Sequence, residues 1–233
     1  MISTLKKAAI GAVVVAGGLL SQGAMAGPLT VNLGGFICAD NAACDTNVAV
    51  NVMTVTAGQN GVPVIPGYNI SISTSFSNNP GSQLFNILDV TWTVASIGTG
   101  GGPLTILVSQ TDFNVGPVGP NATLESVCGG DVFNGSVTCQ EWANLANVLF
   151  GLGPVTPGAQ GPFAGPFSSD LFSAPYTGTV PYALTDRLIF NLGANATSTG
   201  DLRSTTHIPE PGTLLLVGAA LAGAGLARRR KPS

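Results

Sequence analysis

The chain has 233 residues, of which 8% are charged and 45% are hydrophobic, and it holds 32 glycines and 16 prolines. Between residues 27 and 208, ten acidic residues stand against two basic ones, a formal charge of −8. This balance argues against nucleic acid as a partner, because phosphates need a basic patch. The segment has about 180 residues, enough for one domain with a hydrophobic core.

The amino-terminal segment predicts export. Lys6-Lys7 precedes an apolar run over residues 8–20, and Ala24-Met25-Ala26 follows. A positive start, a short apolar stretch and a small-x-small site are typical of a secretory signal peptide. We therefore predict a signal helix within residues 1–26 and cleavage by signal peptidase before Gly27. The alternative, an uncleaved membrane anchor, is disfavoured by the short apolar run and the cleavage site.

The four cysteines, Cys38, Cys44, Cys128 and Cys139, all lie in the predicted exported segment. An even count in an oxidising compartment indicates two disulfides, for which three pairings are possible. The pairs Cys38–Cys44 and Cys128–Cys139 are favoured because each closes a short loop rich in turn residues. A zinc site is the alternative, but neither spacing is that of a metal knuckle and the single histidine is distant. We expect no metal and no cofactor.

The middle of the chain alternates between apolar and polar residues. Runs with this period of two cover residues 29–33, 48–52, 68–73, 90–94 and 104–108, and a late strand pair is expected over residues 181–192 and 194–203. Turn-forming residues such as Asn60-Gly61 separate the runs. Alternation suits a sheet with one buried side. We predict an all-β fold, an antiparallel, jelly-roll-like β-sandwich, as an exported domain over residues 27–206.

Two stretches depart from this pattern. Gln140–Phe150 carries Trp142, Leu145, Val148 and Leu149 at helical spacing, which predicts a short helix that ends at Gly151. The following segment, residues 151–166, is rich in glycine and proline. It is predicted to be a long loop or flap.

The carboxyl-terminal tail, residues 207–233, combines three features in a fixed order. Pro209, Glu210 and Pro211 precede an apolar run over residues 214–227, and a basic cluster of Arg228, Arg229, Arg230 and Lys231 follows. From residue 212 the run spans about 24 Å as a helix, slightly short of a hydrocarbon core of about 30 Å. The basic cluster should stay cytoplasmic, which leaves the central domain outside.

This order of Pro-Glu-Pro, transmembrane helix and basic end resembles the PEP-CTERM sorting domain of exported proteins in Gram-negative bacteria. The resemblance implies recognition of Pro209, Glu210 and Pro211 by an exosortase, a membrane protease that cuts near the motif and releases the protein or transfers it to the cell surface. The apolar run is rich in small residues, which suits a transient inner-membrane anchor. The family is associated with bacteria that make exopolysaccharide, so the resemblance also implies exopolysaccharide as a partner.

Few residues suggest catalysis. The single histidine, His207, lies just before the sorting motif, so a Ser-His-Asp triad in the processed domain is disfavoured. Glu125 and Glu141 flank the second cysteine pair and Asp89 lies in a predicted strand, but their spacing does not single out an acid and a base. We expect no enzymatic activity, with a secreted hydrolase as the less favoured alternative.

Other side chains are candidate ligand contacts. Asp40 and Asp45, beside the first cysteine pair, could bind calcium, but the calcium-loop pattern is absent and solvated loop acids are favoured. Trp92 alternates with threonines, the pattern of a core residue, which leaves Trp142 as the candidate glycan contact. We interpret the chain as an exported surface or extracellular-matrix protein with a structural or interaction role. A carbohydrate-binding module or adhesin is the alternative.

Overall fold

The computed structural model describes residues 27–79 and 85–208, together with Leu221. Within these residues it forms ten β-strands and no helical element: β1 (Thr30–Leu33), β2 (Phe36–Ala39), β3 (Val52–Thr56), β4 (Tyr68–Ser77), β5 (Phe85–Ser96), β6 (Leu104–Phe113), β7 (Gly119–Asn144), β8 (Gln160–Ser168), β9 (Phe172–Gly178) and β10 (Tyr182–His207). Every strand pairing is antiparallel. The prediction of an all-β, antiparallel fold is confirmed.

The two predicted terminal helices lie outside the described residues. Among the residues that are described, no helix is long and apolar enough to cross a membrane. The signal helix and the transmembrane helix therefore stay predictions.

Two 26-residue strands, β7 and β10, run through both layers of the fold. Their pairing shifts register between Leu192 and Thr197, which divides each strand into two halves. The first half of β10 pairs with β6 and the end of β7, whereas its second half pairs with β5 and the start of β7. One layer therefore contains β2, β1 and β6, and the other contains β3, β4 and β5. On the edge of β7 that faces away from β10, β7 pairs with β8 and β9.

The two layers pack face to face. The indole of Trp92 on β5 meets the ring of Phe190 on the first half of β10 edge-on, with 6.0 Å between centroids. Tyr182 and Thr206, from opposite halves of β10, share a hydrogen bond between their hydroxyls. The apolar faces of most strands are buried in this interlayer core, as the alternating pattern predicts. The arrangement fits a β-sandwich, and the prediction that Trp92 is a core residue is confirmed by its 1% exposure.

The strand predicted over residues 48–52 is wrong. Strand β3 begins only at Val52, and the two valines before it, Val48 and Val50, are 92% and 74% exposed. Asn51 has a φ of 61°, a left-handed conformation that interrupts extended structure. The alternation there is accidental, because no sheet covers its apolar side.

The helix predicted over Gln140–Phe150 is also wrong. Strand β7 continues to Asn144, after which the chain turns. The Asn144 side chain accepts a hydrogen bond from the Ala146 N–H at 2.9 Å, and Asn147 adopts a φ of 55°. Both features favour a turn over a helix. Val148, which the helix would have buried, is 52% exposed.

The predicted flap over residues 151–166 is only partly a loop. Its first nine residues connect β7 to β8, but β8 begins at Gln160 and pairs with β7.

The chain has the disulfides Cys38–Cys44 and Cys128–Cys139, so the favoured pairing of the four cysteines is confirmed. The second disulfide joins two points of β7, one in each half of that strand.

Candidate functional site

A polar groove lies on the solvent-facing side of β5 and of the second half of β10. We call it the outer groove, and its walls are Asp89, Thr91 and Thr93 from β5 and Thr199, Asp201 and Arg203 from β10. These residues form three directly opposed pairs across the two strands. The groove is an open hollow of about 590 Å³ on the face of the sheet.

The floor of the outer groove is formed by Gly200 and Trp92. A methyl group added at Gly200 would lie 2.5 Å from Trp92 Cζ2 and 2.3 Å from the Gly129 carbonyl oxygen. The absence of a side chain therefore lets the indole pack directly beneath the strand. There, Trp92 Nε1 donates a hydrogen bond to Ser198 Oγ at 3.0 Å. The ring faces the core, so the floor of the groove is main chain and not an aromatic platform.

Opposite charges face each other in the outer groove. Arg203 Nε donates a hydrogen bond to Asp89 Oδ2 at 2.8 Å. Partial burial raises the pKa of Asp201, the Asp89 carboxylate raises it further, and the Arg203 guanidinium lowers it. The groove thus offers carboxylate acceptors, guanidinium donors and threonine hydroxyls that do both. This set of groups suits a ligand that carries many hydroxyl groups.

A second hollow adjoins the outer groove and shares Thr93 with it. Its volume is about 300 Å³, and its other walls are Thr56, Ala57, Gln59, Asn69, Ile70, Ser71 and Ala95. The two hollows together cross β3, β4, β5 and β10, and the second is more apolar than the first.

Two carboxyl groups are buried between the layers. Glu141 and Asp186 lie directly opposite each other on β7 and β10, and both are inaccessible to solvent. Gln160 Nε2 donates hydrogen bonds to Glu141 Oε1, at 3.4 Å, and to Ser126 Oγ. Burial raises the pKa of Glu141 to about 7 and the pKa of Asp186 well above its ordinary value. The pair is closed to solvent, so a large substrate cannot reach it.

The acidic residues considered from the sequence do not meet in one place. Glu125 is half-buried near the start of β7, where its Oε1 lies 2.8 Å from His207 Nε2. Glu141 is buried near the end of the same strand. Of the three candidate carboxylates, Asp89 is the one that lines the outer groove.

The prediction that Trp142 is an exposed glycan contact is wrong. Trp142 is 6% exposed, and the guanidinium carbon of Arg187 lies 4.7 Å from the centroid of its ring. A cation over the ring face stabilises this position. The ring is therefore covered by the protein itself and cannot stack on a sugar.

The loop acids beside the first disulfide hold the local turn. Asp45 Oδ1 accepts hydrogen bonds from the N–H groups of Asn47 and Thr54 at 2.8 and 2.9 Å. Asp40 Oδ2 accepts one from the Asn51 N–H at 2.8 Å. Within the described part of the chain, no group of three or more His, Cys, Asp or Glu side chains could hold a metal ion.

Several predicted site residues lie outside the described residues. These are the signal-cleavage residues Ala24 and Ala26, the sorting motif Pro209, Glu210 and Pro211, and the basic cluster Arg228, Arg229, Arg230 and Lys231. Gly27, the predicted new amino terminus, is described and is buried.

Most of the outer groove was missed from the sequence. The polar residues of Asp89-x-Thr91-x-Thr93 and Thr199-x-Asp201-x-Arg203 alternate with buried ones, which marks one solvated face on each strand. The missing information was the pairing of β5 with β10, which brings the two faces together.

One family model matches the chain, that of the PEP-CTERM protein-sorting motif, over residues 207–231. The chain therefore carries a PEP-CTERM sorting signal, as the sequence resemblance predicted, and it is a sorted, exported protein. No curated protein sequence matches the chain.

Three solved structures show a distant likeness. The enzymatically active domain of tailspike protein 4 from bacteriophage CBA120 is 6% identical over 58% of this chain, with a TM-score of 0.30. This chain spans 18% of that one. A structure of carbohydrate-binding modules from the β-sandwich superfamily is 8% identical, over 76% of this chain and 84% of that one, with a TM-score of 0.28. A structure of infectious bursal disease virus, Gx strain, is 14% identical over 78% of this chain and 55% of that one, with a TM-score of 0.29. Scores this low carry no argument about fold or function.

Proposed function

We propose that this chain is a non-enzymatic component of the cell surface or extracellular matrix, with a structural or interaction role. The observation that carries the proposal is the position of the sorting motif. Strand β10 ends at His207, and the match to the sorting motif begins at the same residue. The β-domain is thus the part that is sorted, and the tail that follows it carries the sorting signal.

The proposed route has two processing enzymes. Signal peptidase removes residues 1–26, and the apolar run over residues 214–227 then holds the protein transiently in the inner membrane. An exosortase-type protease recognises Pro209, Glu210 and Pro211 and frees the domain to the surface or medium. Two disulfides within the domain support this destination, because such bonds persist in oxidising compartments.

The intact mass of the protein recovered from the surface and medium of its native host tests this proposal. We expect the loss of residues 1–26 and of the tail from about Pro209 onward. A mass that includes Arg228–Ser233 would show that the tail is a permanent anchor. A protein that stays entirely in the cytoplasm would overturn the proposal of export.

A second candidate function is glycan binding in the outer groove. It is favoured by the opposed carboxylate, guanidinium and threonine groups of the groove and by its continuation over β3 and β4. Hydroxyl-rich polymers such as exopolysaccharide would match the chemistry of the groove. The acidic domain makes a neutral polysaccharide a better match than an anionic one.

A screen against immobilised polysaccharides tests glycan binding. Asp201→Asn should weaken saturable binding at least about 10-fold, because a carboxylate that accepts sugar hydroxyls forms charge-assisted hydrogen bonds. Asp170→Asn, in an exposed segment outside the groove, is the matched control. Binding that both variants retain equally would place the ligand elsewhere. Release of reducing ends during the same incubation would indicate a secreted hydrolase instead.

A further inference from the structure

Gly27 is held within the fold at the point where the exported domain begins. It is buried, and its carbonyl oxygen accepts a hydrogen bond from Gln110 Nε2 at 2.8 Å. The antiparallel register of β1 and β6 places Thr30 opposite Ser109. Gly27 precedes β1 and lies beside the side chains of Thr111 and Asp112 on β6.

The Asp112 carboxylate lies close to the main chain of Gly27. A methyl group built on the Gly27 Cα would lie 2.7 Å from Asp112 Oδ2 and 2.1 Å from Thr111 Oγ1. The nitrogen of Gly27 is bonded to the same Cα, so it lies within about 5 Å of Asp112 Oδ2. Opposite charges at this separation stabilise each other. The position also admits no side chain, because the nearest atoms already fill that space.

The Asp112 side chain is held in place by hydrogen bonds within the protein. Its N–H donates to Asn147 Oδ1 at 2.8 Å, and Asn147 Nδ2 donates to Asp112 Oδ1 at 2.6 Å. Thr111 Oγ1 donates to Asp112 Oδ2 at 2.9 Å. The residue adopts a φ of 62°, a conformation that aspartate tolerates better than most residues. The carboxylate is therefore preorganised beside the backbone of Gly27.

We infer that Asp112 is a binding site for the chain's own α-ammonium group, which removal of the signal peptide creates at Gly27. This inference rests on the proposed export and on cleavage after Ala26. Hydrolysis of the Ala26–Gly27 peptide bond consumes one water and leaves a carboxylate on Ala26 and an amine on Gly27. The new amine has an ordinary pKa of about 8, so it takes up a proton at neutral pH and pairs with Asp112.

The ion pair forms only in the processed chain. In the precursor the nitrogen of Gly27 is a neutral amide, and Asp112 has no ammonium partner there. Processing thus adds a stabilising contact at the edge where β1 joins β6. The exported domain becomes more stable at the moment it is cut free of its signal peptide.

The test compares two amino termini in two backgrounds. The processed chain, residues 27–233 in detergent, is prepared with a free amine and with an acetylated amine, each with Asp112 and with Asp112→Asn. Acetylation removes the charge and should lower the Tm of the Asp112 chain by about 2–4 °C, the shift expected for the loss of one modest ion pair in a domain of this size. In Asp112→Asn it should change the Tm by less than about 1 °C, because the partner is already gone.

Asp170→Asn is the matched control, and it should keep the full effect of acetylation. An equal effect of acetylation with and without Asp112 would overturn the inference. Should Asp112→Asn fail to fold, the pKa of the α-amine in the Asp112 chain decides. A value above the ordinary one of about 8 supports the pair, and an ordinary or lower value overturns it. The amino terminus of the protein from its native host separates this inference from the proposed export. A terminus other than Gly27 would mean that the cleavage needed for the ion pair does not occur. A Gly27 terminus whose acetylation effect does not depend on Asp112 would overturn the ion pair and leave the proposed export intact.

Discussion

The two halves of β10 share one backbone but differ in what covers them. Residues Tyr182–Asp186, which open the first half, are all buried, whereas residues 197–204 alternate between exposed and buried positions, with one half-buried glycine among them. The difference arises from the segment that follows β7. The Phe150 N–H donates to Ser109 Oγ at 3.1 Å, and Ser109 in turn contacts Thr185. This segment covers the outer side of the residues that open the first half.

The difference separates stability from recognition within one strand. The first half holds buried aromatic rings and a buried carboxyl group, and its opening residues, Tyr182–Asp186, have no open face for a ligand. The second half exposes every other side chain, and these side chains form the outer groove. Substitutions in the first half should therefore change the free energy of unfolding, and substitutions in the second half should change binding.

The largest effect is expected from Phe190→Ala in the first half. Phe190 is fully buried and packs against Trp92, so its truncation leaves a cavity between the layers. We expect a loss of about 3–5 kcal/mol in the free energy of unfolding, measured by denaturant titration. The matched substitution in the second half, Thr199→Ala, should cost less than about 0.5 kcal/mol. Similar losses for the two variants would contradict the division of the strand.

A change of nearly the same size is expected from pH. Burial raises the pKa of Glu141 from 4.5 to about 7, so the folded state holds a proton that the unfolded state releases. The contribution of this group to the free energy of unfolding should therefore be greatest below pH 4.5, fall by about 3 kcal/mol between pH 4.5 and 7, and be lost above pH 7. Asp186, whose pKa burial also raises, acts in the same direction.

Glu141→Gln tests this assignment, since a neutral amide cannot titrate. The variant should lose the part of the decline between pH 4.5 and 7 that comes from Glu141 and keep the part that comes from Asp186, measured by denaturant titration at a series of pH values. Glu125→Gln, at a half-buried position of the same strand, is the control and should keep the decline. An unchanged decline in Glu141→Gln would refute the role of this carboxyl group.

An intermediate effect is expected at the floor of the outer groove. Gly200→Ala would bring a methyl group against Trp92 and the Gly129 carbonyl oxygen, so the strands must shift at a cost of about 1–3 kcal/mol. Gly129→Ala is the matched control, because its methyl group would meet other atoms only at 3.8 Å. Thermal unfolding of the two variants gives the comparison. Equal stability of both would mean that the indole does not depend on Gly200.

Local pattern predicted the parts of this fold that depend on local chemistry. Alternation located β1, β4, β5 and β6, because each has one apolar face on the core. It failed for β7, where Gly129-Gly130 and Asn134-Gly135 have the composition of turns although the strand runs through them. It failed for Trp142 because the guanidinium that covers its ring belongs to β10, a partner fixed only by tertiary pairing. The outer groove could not be predicted for the same reason, since its two walls are more than 100 residues apart in sequence and meet only through strand pairing.

The smallest effect on stability, and the clearest on binding, is expected from the two arginines of β10. Arg203 lies in the groove and pairs with Asp89 at the surface, where its side chain is 59% exposed. Arg203→Gln should therefore change the free energy of unfolding by less than about 1 kcal/mol. If polysaccharide binds in the outer groove, the same variant should lose most of its affinity, measured by titration with the polymer that the screen identifies.

Arg187→Gln removes the same charge from the first half of the strand, where the guanidinium covers Trp142. It should lower stability by about 0.5–2 kcal/mol and leave binding intact. Equal loss of binding in the two variants would show that the net charge of the domain, and not the geometry of the groove, controls recognition. Retained binding in Arg203→Gln would place the ligand outside the outer groove.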